Sequence, residues 1–480
     1  MSSDGLDLFK VDRSICRMSW YLNAVFPANH VLTVTDAKIH FGRVATHFRT
    51  KESPVTSTQQ PVEIDLDLHV PIATADLYEV LNKLVAETPI AWNRAHGGYW
   101  VVAGYEEVRE VYSDWERFSS THDDVPGDPF ADRTTGRETR SRRTGFSIPE
   151  APSRFVPTEA DPPLHTEVRA LEAPFFTPKA VRGYEAEIRR HTVESLDAVA
   201  ALGELDFAQF VASVSTKMAC RLLGVDTASW ADFAATVHAI GLTGFGSPDF
   251  PLERFRATQE KIFQLCAERK EDPRDDVASA LMRGSILGQP VTALEAQTVL
   301  NGLTFGSTDT TNTTMLHILQ YLAAHPELRE QLRADLSLVP KAVEEFLRLF
   351  TPGVGAARTV TRDLDFHGFA FQEGQRVFMA NSAANRDPRK FPNPLEFDMD
   401  RDNVKDHLAF GTGNHRCLGA PVARLEMRIM LEEILRRIPD FAIDPAKVVE
   451  YPTKTGVIGY DTVPATFEPF DTTVPAEARP

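Results

Sequence analysis

The stretch FGTGNHRCLGAP, from Phe410 to Pro421, says more about the fold than any other part of the sequence. Gly411 and Gly413 precede a lone Cys417, and Gly419 follows it just before a helical pattern begins. Amides at the start of a helix favour a negative group, and glycines let the backbone fold closely around a sulfur atom. The loop therefore suits a thiolate that binds a metal. For Cys417 taken alone, a buried structural cysteine in a tight turn is the simpler interpretation.

Composition limits the classes of protein to which the chain can belong. Its 480 residues are 42% hydrophobic and 25% charged, the proportions of an ordinary globular protein. The net charge of −17 argues against nucleic acid and anionic membranes as partners. Four widely separated cysteines exclude a disulfide framework and leave no ligand set for zinc. No run of about 18 apolar residues predicts a transmembrane helix, so we expect a cytoplasmic protein.

The pattern along the chain predicts three parts. Residues 1–60 lack a clear period and are interpreted as a weakly structured N-terminal extension. Residues 61–470 form the body, which is mainly helical from Pro163 onwards, and residues 471–480 form a C-terminal tail. Residues 121–160 are rich in Asp, Pro, Gly, Ser and Arg, which is typical of a lid or binding loop.

A long helix carries the second notable pattern. Thr292 and Glu295 form a capping-box signature, and apolar residues continue to Leu322. The middle of the helix, FGSTDTTNTT (305–314), contains poor helix formers, and a local violation of this kind often marks a functional site. An acid next to an alcohol, as in Asp309 and Thr310, can relay protons.

Two further helical stretches bring charged residues onto one face. In KAVEEFLRLFTP (341–352), Glu345 and Arg348 are i,i+3 neighbours and close enough for an ion pair. In DPPLHTEVRALEAPFFTP (161–178), His165 and Arg169 are i,i+4 neighbours, and two such donors suit a bound carboxylate. Simple solvation of an exposed face is the alternative for both pairs.

Together these stretches resemble the cytochrome P450 family. The pattern F-x-x-G-x-x-x-C-x-G of the first stretch is similar to the haem-binding loop of that family. All four stretches occur along the chain in the order typical of the family, and the resemblance covers about Val62 to Phe470. The resemblance implies a mainly α fold with small β-sheets (α+β) and a long central helix that crosses the haem. It extends to the soluble bacterial type and does not cover residues 1–60.

The resemblance also implies roles for particular residues around a haem b. Cys417 is implied as the axial ligand of the iron, Phe410 as a shield of the sulfur, and Gly411 and Gly419 as parts of the cofactor loop. The haem propionates are implied to bind His165, Arg169, Arg358 and His415.

Other residues are implied to serve oxygen chemistry or the scaffold. Thr310 is expected to hold and protonate dioxygen, and Asp309 to feed protons from solvent. Ser307 departs from the pattern, since glycine is usual there, and a serine could narrow the oxygen groove or add a hydrogen bond. A purely structural role is expected for Glu345, Arg348 and Arg401.

The substrate pocket is expected to be apolar. Candidate contacts, chosen by position, are Gly302, Phe305, Gly306, Val354, Val457 and Ile458. The loop 121–160 is expected to cover them, and a terpenoid, polyketide-like or aromatic compound of secondary metabolism is the expected substrate class.

The implied activity is that of a haem-thiolate monooxygenase, which activates O2 and hydroxylates or epoxidises a small organic molecule. No flavin, nicotinamide or clustered-cysteine pattern is present, so electrons from NAD(P)H are expected to arrive through a separate ferredoxin and its reductase. Arg416, Arg424 and Arg428 are candidates for the docking patch. Three alternatives stay open: the same fold with peroxide-driven, nitrating or isomerising chemistry, a non-catalytic haem-binding sensor, and a structural cysteine without haem.

Overall fold

The computed structural model describes residues 59–133, 140–151, 153–243 and 250–473. The first strand begins at Val62, close to the predicted start of the body. The predicted extension, 1–60, lies outside the described residues except for its last two positions, as does most of the predicted tail, 471–480. Of the helices in the described ranges, none combines the length and the apolar character needed to cross a membrane.

Helices account for most of the described chain. Several begin at positions the sequence marks: Thr292 caps a helix with a complete capping box, Asp206 and Asp276 cap two others, and Pro326 starts the next. In chain order they are α1 (Thr74–Glu87), α2 (Tyr105–Ser113), α3 (Leu164–Glu172), α4 (Pro178–Asp197), α5 (Phe207–Leu223), α6 (Trp230–Thr243), α7 (Leu252–Glu271), α8 (Val277–Arg283), α9 (Ala293–Ala324), α10 (Pro326–Ala334), α11 (Val339–Leu349), α12 (Asn381–Ala384) and α13 (Ala420–Arg437).

The helix α9 is the centre of the fold. Its 32 residues span about 48 Å, enough to cross a domain. It packs against α5, α6, α7 and α8 on one side and against α11 and α13 further along. In its C-terminal half, Met315, Leu316, Ile318 and Leu319 are buried in the largest hydrophobic core. Helical neighbours on several sides thus fix the polar middle of α9 in position.

The strands are short and gather at the edges of the helical body. In chain order they are β1 (Val62–Ile64), β2 (Ile90–Asn93), β3 (Tyr99–Val102), β4 (Phe118–Ser119), β5 (Glu204–Asp206), β6 (Ser285–Ile286), β7 (Gln289–Pro290), β8 (Ala356–Val360), β9 (Leu364–Phe366), β10 (Phe369–Phe371), β11 (Arg376–Met379), β12 (Ala442–Ile443), β13 (Val449–Glu450), β14 (Tyr460–Thr462) and β15 (Pro464–Thr466).

One sheet of six strands has the order β1-β2-β3-β11-β8-β4. Pairs β1–β2 and β3–β11 are parallel, and the other pairs are antiparallel. The register places Arg358 of β8 opposite Val377 of β11, in the interior of the sheet. A three-stranded sheet (β12-β15-β5) and the pairs β9–β10, β13–β14 and β6–β7 complete the set. The predicted mainly α fold with small sheets is therefore confirmed.

Candidate functional site

The loop around Cys417 is shaped by glycine. Gly411 and Gly413 have φ values of +62° and +67°, a backbone conformation that side chains rarely adopt. A Cβ on Gly413 would lie 2.7 Å from the carbonyl oxygen of Tyr112, so a side chain there would collide with the end of α2. The Cys417 amide closes the loop by donating to the carbonyl of Phe410 at 2.8 Å.

Cys417 is a free cysteine that is exposed in this structure, and it lies three positions before the first residue of α13. Burial raises the pKa of the Cys417 thiol, while the amides of Gly419 and Ala420 and the charges of Arg169 and Arg424 act in the opposite direction. The site thus contains groups that stabilise a thiolate. For the free thiol, however, the effect of burial on the pKa is larger than theirs.

A network of side chains contacts the loop near Phe410. The guanidinium of Arg424 lies 4.5 Å from the centroid of the Phe410 ring and forms a two-pronged ion pair with Glu344. His407 contacts the same carboxylate at 3.2 Å. Burial alone would raise the pKa of Glu344, but the hydrogen bonds from His407 and Arg424 lower it to about 2. Phe410 is thereby held against the loop at neutral pH.

Four basic side chains converge on the other side of the loop. His165 and Arg169 come from α3, Arg358 from β8, and His415 from the short turn before Cys417. The rings of His165 and His415 lie 4.2 Å apart between centroids. Burial lowers the pKa of His165 to about 4, and the charges of Arg169 and Arg358 add to that effect. Burial and the same cations lower the pKa of His415 well below its usual range.

Within the described ranges, this basic cluster has no carboxylate partner. Arg169 donates to the carbonyl of Arg416 at 2.8 Å, and Arg358 donates to the carbonyl of Ala357 at 2.8 Å. Neither guanidinium forms an ion pair with a described acid. Glu172, whose charge would act on Arg169 from the same helix, has its pKa raised to about 8 by burial, so it is largely uncharged at pH 7.

Buried cations without an acid are costly, and the cost falls when an anion binds between them. Both ring nitrogens of His165 also lack a hydrogen bond of normal geometry, although the backbone of Asn414 lies close by. The cluster therefore fits a group that carries carboxylates close to Cys417. The haem that the resemblance implies carries two propionates, so the residues present fit that cofactor.

The polar middle of α9 is hydrogen-bonded to its own helix. The hydroxyl of Thr310 donates to the carbonyl of Gly306 at 3.0 Å, and that of Ser307 donates to the carbonyl of Leu303 at 2.6 Å. Ser307, which stands where the family pattern has glycine, thus forms its hydroxyl hydrogen bond within its own helix. A Cβ on Gly306 would meet nothing within 4 Å, so this turn of α9 borders open space.

Asp309 occupies an unusual environment. Burial raises the pKa of its carboxyl to about 6, against the effect of a hydrogen bond from Tyr451 and the charge of His238. The Tyr451 hydroxyl donates to Asp309 Oδ1 at 3.1 Å, across 142 positions in sequence. A carboxyl with this pKa can both take up and release a proton near neutral pH.

The loop before α3 lies against α9. Phe155 packs edge-to-face on Phe305 with ring centroids 5.8 Å apart, and Phe146 packs on Phe155 at 5.9 Å. The carbonyl of Val156 would lie 3.5 Å from a Cβ on Gly302, an ordinary van der Waals distance, so the loop lies against this turn of the helix. The structure therefore brings Gly302 and Phe305 together with the loop 121–160.

Two of the six substrate-contact candidates require correction. Val354 is 1% exposed and Ile458 is 0% exposed, and both belong to a hydrophobic core with β1, β3 and α1. Neighbouring side chains enclose them completely, so in this structure they are core residues and not part of a pocket wall. Val457 is partly exposed and forms an isolated bridge with Gly353.

The ion pair of α11 is deeply buried. Arg348 donates to both carboxylate oxygens of Glu345, at 2.7 and 2.8 Å, and Arg401 donates to Glu345 at 3.2 Å. The side chains of Glu345 and Arg348 are 0% exposed, so solvation of an exposed face is excluded for this pair. Both arginines also donate to backbone carbonyls, which belong to Asn385, Pro392, Asn393, Pro394 and Glu396.

Sequence reasoning missed several residues of the site. Ser120 contacts His415 Nε2 at 3.1 Å through its hydroxyl, and its amide is held by Asp161 at 2.9 Å. Tyr451 and Glu344 also contact predicted residues. None of them carries a local pattern, because each meets its partner only through the tertiary fold.

Comparison with known proteins gives consistent results. A family model described as cytochrome P450 matches residues 252–458. The chain is 30% identical over 383 residues to the 6-deoxyerythronolide B hydroxylase of Saccharopolyspora erythraea, covering 77% of this chain and 90% of that protein. It is 32% identical over 344 residues to the mycinamicin IV hydroxylase/epoxidase of Micromonospora griseorubida, covering 71% and 82%. The solved structure of a P450 EryK mutant in complex with erythromycin B superimposes with a TM-score of 0.70 and 26% identity, covering 84% of this chain and 98% of that one.

Proposed function

This chain belongs to the cytochrome P450 family of monooxygenases, and from that premise we propose that it hydroxylates or epoxidises a small, mostly apolar molecule at a haem b held by Cys417. Two relatives support the choice of reaction, since one is named a hydroxylase and the other a hydroxylase/epoxidase. The observation that carries the proposal is the basic cluster beside Cys417, in which neither arginine forms an ion pair with a described acid.

Bound haem supplies the iron at which O2 is activated, and a thiolate ligand pushes electron density towards that iron. For its part, the chain holds the group at two points. Cys417 would offer its sulfur before the start of α13, and Arg169, Arg358, His165 and His415 would bind the carboxylates. Pairing the guanidinium charges of Arg169 and Arg358 with an anionic group is favourable where they are shielded from water.

The residues of α9 handle protons. Asp309 can give a proton to a molecule bound in the open space beside Gly306, because the pKa of its carboxyl is about 6. Thr310 lies next to it, and its hydroxyl can turn from the Gly306 carbonyl towards a bound molecule. This acid–alcohol pair favours oxygen activation over a peroxide-driven, nitrating or isomerising reaction, and over a sensor without turnover.

Phe305, Phe155 and Phe146 provide an apolar wall beside this space. Most ligand pockets are apolar with a few polar groups, and an aromatic wall suits a terpenoid, polyketide-like or aromatic substrate. The loop 121–160 supplies two of these rings, so its position affects access to the pocket.

Electrons are proposed to come from NAD(P)H through a ferredoxin and its reductase. Of the three arginines expected to dock a ferredoxin, Arg424 is paired with Glu344 at 2.6 Å and Arg428 with Glu185 at 3.0 Å. Their charges are therefore locally neutralised. Arg416 is exposed and forms no ion pair with any acid in the described part of the chain, which makes it the preferred docking residue.

The decisive test is the absorption spectrum of the reduced protein saturated with carbon monoxide. We expect a strongly red-shifted Soret band in the unmodified protein and its loss in Cys417→Ser. Cys266→Ser, a substitution at a buried cysteine of α7, is the matched control and should keep the band. An unshifted band in the unmodified protein, or a folded and haem-supplied protein without haem, would refute the proposal.

A further inference from the structure

A chain of hydrogen bonds leads from Asp309 towards the surface. The Tyr451 hydroxyl donates to Asp309 Oδ1 at 3.1 Å. The same hydroxyl lies 3.0 Å from Nδ1 of His238, on α6, and Nε2 of His238 lies 2.7 Å from Asp461 Oδ1, on β14. Every link has the length of a normal hydrogen bond.

The two ends of this chain differ in their access to water. The side chains of His238 and Asp461 are 36% and 37% exposed. Tyr451, in the middle, is 2% exposed. Asp309, at the inner end, precedes Thr310 and the open turn at Gly306. The hydrogen-bonded chain therefore joins solvent to the candidate oxygen site.

The backbone holds Tyr451 rigidly in this position. Its amide donates to the carbonyl of Gly459 at 3.0 Å, and its own carbonyl accepts from the fully buried Lys454 at 2.6 Å. A Cβ on Gly459 would lie 2.3 Å from the Tyr451 ring, and one on Gly241 would lie 2.9 Å from it. Two glycines on separate elements thus make room for this one ring.

Resting on the function proposed above, we propose that Tyr451 and His238 form the path by which protons from solvent reach Asp309. In the starting arrangement the His238 imidazolium donates through Nδ1 to Tyr451 and through Nε2 to Asp461, and Tyr451 donates to the Asp309 carboxylate. Tyr451 passes its proton to Asp309 and takes the Nδ1 proton of His238. The half-exposed imidazole ring then turns so that Nδ1 takes a proton from water, and it turns back to Tyr451. Once Asp309 has released its proton, the Tyr451 hydroxyl rotates towards the carboxylate, which restores the starting arrangement.

The charges along the path suit this direction of transfer. Burial and the Asp309 charge raise the pKa of Tyr451, so it acts as a neutral hydroxyl that takes one proton while it gives another. Asp461 and Asp309 place carboxyl groups at the two ends of the path. Lys454, which pairs with Glu450, also lies against Tyr451, through the backbone carbonyl of the tyrosine.

The test uses Tyr451→Phe, which keeps the ring and removes both hydrogen bonds, and His238→Gln, which keeps a polar group that cannot carry a proton. Both holoenzymes should keep the carbon monoxide spectrum. Turnover should fall roughly ten- to hundredfold, in the range of general acid–base effects, with KM unchanged and a larger solvent deuterium isotope effect. The matched control is Tyr105→Phe, whose hydroxyl donates to the carbonyl of Asp406 at 2.7 Å, away from the path.

A second readout does not depend on turnover. Infrared titration of the Asp309 carboxyl, assigned with Asp309→Asn, should show a higher pKa in Tyr451→Phe because the carboxylate loses a hydrogen-bond donor. If the variants lose stability but keep the isotope effect and the carboxyl titration of the unmodified protein, the path is refuted and Tyr451 is only structural. Loss of the haem spectrum in the unmodified protein would instead refute the proposed function.

Discussion

At the scale of single residues, Thr310 and Asp309 have different relations to their surroundings. Thr310 bonds only within its own helix, through Gly306, whereas Asp309 is connected to another part of the chain through Tyr451. In the proposed function, the threonine hydroxyl turns towards a bound molecule and the acid supplies the protons. Their roles are expected to be separable by substitution.

Thr310→Ala should uncouple electron use from product formation. Without the hydroxyl, proton delivery to reduced oxygen is no longer directed by the threonine, and the reduced oxygen is released as hydrogen peroxide. We expect NADH consumption to change little, product per NADH to fall by roughly tenfold and peroxide to rise correspondingly, measured together in one assay with surrogate redox partners.

Thr298→Ala is the matched control for this prediction. Thr298 lies on the same helix and donates to the carbonyl four residues earlier at 3.0 Å, as Thr310 does. It should keep full coupling. Equal coupling in Thr310→Ala and in the unmodified protein would show that the threonine has no part in proton delivery.

At the scale of elements, two of the i,i+3 ion pairs in the described ranges differ strongly in burial. Glu345 and Arg348 on α11 are 0% exposed, whereas Glu330 and Arg333 on α10 are 60% and 45% exposed. Removing one partner of a buried pair leaves an uncompensated charge, and exposed pairs contribute little. The two pairs therefore make a matched comparison.

Glu345→Gln should reduce the free energy of unfolding by about 3–5 kcal/mol, because Arg348 and Arg401 then lose their buried anionic partner. Glu330→Gln should leave the free energy of unfolding nearly unchanged, because water already screens this exposed pair. Urea denaturation followed by circular dichroism measures both. Similar small losses in the two variants would mean that backbone carbonyls alone hold the arginines, and that the carboxylate is dispensable for the scaffold.

At the scale of the whole molecule, the net charge of −17 opposes association with an acidic ferredoxin. Docking then depends on local positive charge near the cysteine loop. Carboxylates pair with Arg424 and Arg428 and neutralise two of the three positive charges expected to dock a ferredoxin. Arg416 is the third. This surface lies next to Cys417, so it offers a short route for electrons.

Arg416→Glu should raise the ferredoxin concentration for half-maximal turnover several-fold, with a smaller effect at high salt because screening weakens the interaction. Arg274→Glu, at a 62% exposed arginine between α7 and α8, is the control with the same change of charge. If both variants respond alike, net charge alone sets the affinity and the docking face lies elsewhere.

The sequence alone was sufficient to predict the features that depend on short-range geometry. The glycines around Cys417, the capping box of α9 and the spacing of Glu345 and Arg348 each act within a few residues, where the period of a helix or a required φ value leaves few alternatives. The family resemblance ordered these features along the chain, and the mainly α fold with small sheets followed from it.

Only the tertiary structure decided how distant segments meet. Asp309 reaches Tyr451 across 142 positions, and His238 reaches Tyr451 across 213, so no local pattern marks either contact. Packing likewise placed Ile458 in the core and not at the pocket, because enclosure by neighbours depends on every element around a side chain. The physical reason is the same in each case. Burial and charge pairing depend on all the residues that surround a side chain in the folded protein, and the sequence reveals those residues only where they are close along the chain.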